Sequence, residues 1–121
     1  MSAALMAQDD QAPGYSLTFL MDKKDTNQVW GTSAYFPGRS FSEIWTATIK
    51  KLIVDHKRIL VADKSSGFLS GEDHYGDVQY FIEERSGGVE VIFPSAGGQK
   101  GIEKIARQVC ETILEQLPKT K

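Results

Sequence analysis

The chain has 121 residues, 40% of them hydrophobic and 25% charged, with 16 acidic against 14 basic side chains for a net charge of −2. That composition fits one globular domain with a core of its own, and the spread of its bases argues against a nucleic-acid-binding face. No apolar run nears the roughly 18 residues of a membrane span, and the single cysteine, Cys110, cannot form an intramolecular disulfide.

Residues 1–13 read as a flexible leader or the remnant of a secretory signal, small and apolar through Ala7 and then abruptly polar at Gln8, Asp9 and Asp10. This points to a periplasmic or secreted protein, with a cytoplasmic one as the alternative. Residues 14–121 form a single domain. Its first strand, Tyr15 to Met21, alternates so that Tyr15, Leu17 and Phe19 share one face. A polar turn over Asp22–Asn27 leads to a second strand, Gln28 to Phe36, in which Gly31 marks a bulge or a close backbone approach. The two pair as an antiparallel hairpin.

Pro37-Gly38-Arg39 ends that hairpin, and Ser40 with Glu43 has the S-x-x-E spacing of a capping box. A helix over Ser40–Lys57 follows, with Phe41, Ile44, Trp45, Thr48, Ile49, Leu52 and Ile53 as its apolar stripe. Thr46, Lys50, Lys51 and Asp55 are assigned to the polar face. His56, Lys57 and Arg58 bring positive charge to the C-terminal end, where it suits the helix dipole.

Arg58 to Ala62 is a short β-forming run, Asp63-Lys64-Ser65-Ser66-Gly67 a turn, and Phe68 to Ser70 resumes a strand. A polar loop over Gly71–Asp77 precedes a strand with Val78, Tyr80 and Ile82 on its apolar face. Ser86-Gly87-Gly88 turns it into Val89–Phe93, with Val89, Val91 and Phe93 inward. Pro94–Gly101 is a flexible connection to a last helix, from Ile102 to just before Pro118, striped by Ile102, Ile105, Ala106, Val109, Ile113 and Leu117. The summed order, β-β-α-β-β-β-α, gives an α+β fold: an antiparallel sheet of about five strands with two helices on one face.

Chemistry is sparse along this chain. There is no G-x-S-x-G elbow, and Cys110 has neither histidine near it in sequence, so it reads as a small buried hydrophobe. Glu72, Asp73, His74 and Asp77 suit a divalent cation by type, but their spacing matches neither an EF-hand nor a zinc motif. A solvated loop is the better reading, and no metal or cofactor is expected. Gly98, Lys100 and Gly101 open the last helix, where free N–H groups beside a lysine suit a phosphate or carboxylate. They lack the G-x-x-x-x-G-K-[ST] spacing, so a plain joint is favoured. Trp30, Tyr35, Phe41, Trp45 and Tyr80 line an apolar groove if the long helix and the sheet leave a gap, and pack as core if they do not.

Phe41, Ile44 and Trp45 at a helix start, a basic helix end, and then I-L-V-A-D-K-S-S-G-F-L-S-G with Asp63 and Gly67 in the turn, form a pattern. It resembles small bacterial envelope domains of helix-grip type, such as those of the C subunit of the outer-membrane β-barrel assembly machinery. The resemblance spans roughly residues 28 to 117. It implies a helix-grip-like fold and a non-enzymatic interaction module, and supplies no catalytic residues; the chain lacks the lipobox cysteine that often anchors such domains. The expected function is therefore an exported binding module using the groove or an exposed sheet edge, with a protein partner. The alternatives are a carrier of a small apolar ligand and a small enzyme using His74 with Glu72 or Asp73. The residues do not specify an oligomeric state.

Overall fold

The computed structural model describes residues 3–5, 10–12, 14–22, 29–73, 76–94 and 102–117. In chain order these form β1 (Ala3–Leu5), β2 (Asp10–Ala12), β3 (Tyr15–Asp22), β4 (Val29–Pro37), α1 (Phe41–Val54), β5 (Arg58–Asp63), β6 (Phe68–Asp73), β7 (Gly76–Arg85), β8 (Gly88–Pro94) and α2 (Ile102–Glu115). The strands make one antiparallel sheet in the order β1-β3-β4-β8-β7-β6-β5, with β2 also pairing β3. The class is α+β, with α1 and α2 contributing to a single core on one face.

The sheet has six long strands where about five were expected, because the Asp63–Gly67 turn reverses the chain fully and makes β5 and β6 separate strands. Two pieces of the stretch expected to be a flexible leader, β1 and β2, lie antiparallel along β3. The predicted polar loop over 71–77 is also shorter. Gly71, Glu72 and Asp73 continue β6 and pair with Val78, Asp77 and Gly76 of β7.

Period-two patterning decides which face each strand buries. Tyr15, Leu17 and Phe19 of β3, Tyr80 and Ile82 of β7, and Val89, Val91 and Phe93 of β8 all point into the core. Each fully buried large side chain contributes about 1.5–3 kcal/mol. Between β3 and β4 the register slips at Leu20/Met21, since Leu20 faces Gly31 and Met21 faces Val29. Trp30 is the extra residue, so the bulge expected at Gly31 lies beside it.

Ser40 caps α1 as its spacing predicts. Its hydroxyl accepts from the Glu43 N–H at 3.2 Å, and its own N–H donates to Glu43 Oε1 at 2.9 Å. The far end comes three residues earlier than the expected Lys57. His56 turns to φ 61°, its N–H donates to Ile53 O at 3.0 Å, and the Lys57 N–H donates to Leu52 O at 2.9 Å. This is a Schellman ending with histidine where glycine is usual. Left-handed backbone costs an L-residue about 1–2 kcal/mol, so His56→Gly is expected to raise unfolding stability by about 0.5–1 kcal/mol in urea titration. An unchanged midpoint would show that His56 is not strained there.

Two side chains depart from the expected helix faces. Lys51, assigned to the polar face of α1, is buried, while Ile53 of the apolar stripe is 59% exposed. On α2 the inward row is Ala106, Cys110 and Ile113, continued by Leu117 just past its end, with Ile105 turned outward. Which row of each helix is buried depends on what the helix packs against, and the periodicity does not contain that.

Candidate functional site

The space between α1 and the sheet is where an aromatic groove was expected. Ile44, Trp45, Thr48 and Leu52 point down from α1, and Tyr80, Ile82, Val89 and Val91 point up from β7 and β8; all are buried. Trp45 stacks on Phe41 with ring centroids 5.8 Å apart, and Tyr80 packs against Phe93 at 5.9 Å. These side chains belong to one buried hydrophobic cluster. Trp45 and Tyr80 are buried in this cluster, and Phe41 is half-buried against it. Tyr35 is not with them: it lies on the opposite face of β4 from Ala34 and Phe36, and its hydroxyl donates to Ser86 O at 2.9 Å. The side chain of Trp30, and Gly98, Lys100 and Gly101, lie outside the described residues, as does His74.

Lys51 is a charged group buried in this interface. Its ammonium donates to Asp55 Oδ2 at 2.5 Å, one helical turn on, and lies 5.9 Å from the centroid of the Tyr80 ring. Burial works against the lysine's charge, but Tyr80 and the Asp55 carboxylate more than offset it and hold its pKa above the ordinary value. Burial likewise raises the Tyr80 phenol. A lysine so held stays protonated at neutral pH, which suits an internal ion pair and not a nucleophile or base. The sequence carried one sign of it, the i,i+4 spacing of Lys51 and Asp55, but that spacing is shared by countless surface pairs.

Cys110 is fully buried, and burial pushes its thiol up to about 12. It remains an unreactive neutral thiol, as its helical position led one to expect. Glu72 of the acidic cluster is ion-paired with Arg58 across β5 and β6. Among the described residues no three His, Cys, Asp or Glu side chains converge as metal ligands, and no helix is long and apolar enough to cross a membrane.

The described residues form two surface clefts, among others. One, of about 460 Å³, lies between Phe41, the Lys64–Gly67 turn and the Ile82–Arg85 end of β7; the other, of about 410 Å³, follows the polar side of α2 along Glu103, Arg107 and Glu111. Both are shallow and carry charges of both signs. Neither presents a buried polar group to an incoming ligand.

The less ordinary surface is at the β5 edge. Leu60 and Val61 are 46% and 42% exposed, and Ile53 and Val54, which close the helix packed beside β5, are 59% and 52% exposed. Among the described residues β5 pairs only with β6, so its outer side presents unpaired backbone donors and acceptors. The register slips between Ile59 and Val61, leaving Leu60 as a bulge. The sequence showed this strand as a dense apolar run; that the run lies on an edge is a matter of topology.

Comparison of the chain with protein families, with curated proteins and with solved structures finds no match.

Proposed function

We propose that this chain is a non-catalytic interaction module that binds through its surface and not by enclosing a ligand. One observation carries the reading. Trp45 and Tyr80, between α1 and the sheet, are buried, while Ile53, Val54, Leu60 and Val61 stand exposed around a sheet edge that is open among the described residues. Apolar surface left in one place beside unpaired backbone groups is the usual mark of a docking site. The state of Lys51 and Cys110 supports it as well, since each is held in its unreactive form. Placement in the bacterial envelope belongs to the same proposal and rests on the N-terminal composition and on the resemblance to envelope domains.

The test is native mass spectrometry of the purified chain against its denatured mass. The expected spectrum contains only multiples of 13.4 kDa. A small molecule retained natively and lost on denaturation would replace this reading with that of an apolar-ligand carrier.

A further inference from the structure

The β5 edge has a feature that a general docking strand would not need. Arg58 and Asp63 fall on opposite faces of an unbroken strand, because side chains alternate. The bulge at Leu60 changes this. Arg58 now pairs with Glu72 of β6 and Asp63 with Phe68, two positions that share one face of β6. The bulge therefore brings the strand's two charges to the same face, one at each end, with Val61 between them opposite Ser70.

Without Leu60 the paired residues run Arg58, Ile59, Val61, Ala62, Asp63. Laid antiparallel against itself, this order is its own complement. Val61 falls on the two-fold axis, Ile59 meets the partner's Ala62, and Arg58 meets the partner's Asp63 at both ends. We propose that the partner of this edge is a second copy of the chain, joined β5 to β5 about Val61, with Arg58 paired to the partner's Asp63. The proposal rests on the interaction-module reading and names its partner.

Several other observations agree. A two-fold axis normal to the sheet keeps both copies of α1 on the same side, so the exposed Ile53 and Val54 of each helix flank the junction. A strand of this length spans about 20 Å, and strand plus helix flank give an isologous contact at the lower end of the range for specific interfaces. Association at micromolar concentrations is what such a contact supports. Arg58 also keeps its own Glu72 beside it, so its charge is held in place at the rim. Asp63 stays ionised across the working range, because the hydroxyls of Ser65 and Ser66 hold its carboxyl below the usual value.

Sedimentation velocity of the full chain, from low micromolar to millimolar concentration, is expected to show a monomer–dimer equilibrium. Val61→Lys places two ammonium groups together at the axis and is expected to weaken the dimer at least about tenfold. Arg58→Asp and Asp63→Arg each set like charges against each other, and each alone is expected to weaken it about tenfold. Mixed in equal amounts, those two variants restore opposite charges at both ends, and the dimer is expected to return as a heterodimer. These positions are exposed, so circular dichroism should match the parent; if Val61→Lys fails to fold, the charge mixture still decides.

A chain monomeric throughout the range overturns the proposal, as does a dimer indifferent to all three substitutions or a mixture that fails to recover. None of these outcomes bears on whether the chain encloses a ligand, which the native mass spectrum reads separately.

Discussion

Gly67→Ala is expected to lower the thermal midpoint by roughly 10–15 °C, a loss of about 3 kcal/mol for a domain of this size. Two penalties coincide at this turn. Gly67 has φ +77°, and a Cβ there would stand 2.1 Å from Ile82 O. Its carbonyl also accepts the Ile82 N–H at 2.8 Å, while its own N–H reaches Asp63 O at 3.0 Å. The clash is with backbone, which cannot swing aside as a side-chain tip can. Gly38 serves as the control. It has φ +75° but nothing within 4 Å of an added Cβ, so Gly38→Ala should cost only the backbone term of about 1 kcal/mol. Calorimetry of the two variants separates crowding from conformation, and equal losses would mean that the Gly67 turn relaxes away from β7.

The second large effect concerns Lys51. Removing its counter-charge with Asp55→Asn leaves a buried ammonium beside Tyr80 without that carboxylate, and about 2–3 kcal/mol of stability should be lost. Lys51→Met removes the charge together with its desolvation cost and keeps most of the volume. Its effect should stay within about 1 kcal/mol of the parent, and can be favourable. The Lys51→Met, Asp55→Asn double variant should recover most of the single Asp55 loss, because the orphaned charge is then gone. Chemical denaturation of the three proteins measures this cycle. If Asp55→Asn proved as mild as Lys51→Met, the ammonium would be finding water in the folded state.

The pair also has a consequence with pH. Lys51 is held above its ordinary value of 10.5, so its contribution is complete below that value and fades as pH rises through the raised one. Cys110 acts in the same direction: folding keeps its proton up to about 12, against an ordinary 9.0. Between those values the folded chain binds more protons than the unfolded one, and stability falls as pH rises.

The amino-acid order alone determined much of this fold. Alternation marked the inward faces of β3, β7 and β8, and the Ser40–Glu43 spacing placed the start of α1 correctly. Asp63 to Gly67 announced a turn. Each of these is a local decision, made by neighbours within a few positions, so the chain carries it in plain form. The end of α1 was less legible, because His56 in a left-handed conformation is unusual for a residue with a side chain. Whether Phe41, Trp45 and Tyr80 enclose a groove or fill a core depends on how far α1 stands from the sheet, and Tyr35 leaves the group because its place in β4 turns it to the other face. The burial of Lys51 followed from the packing of α1 against β7, which sets it over the Tyr80 ring. The exposure of Leu60 and Val61 followed from strand order: β4 pairs with β8, and β5 is left at the edge. Only tertiary structure could decide these, since they depend on contacts between segments far apart in the chain, and no local pattern records which of two faces, or which of two edges, the rest of the molecule will cover.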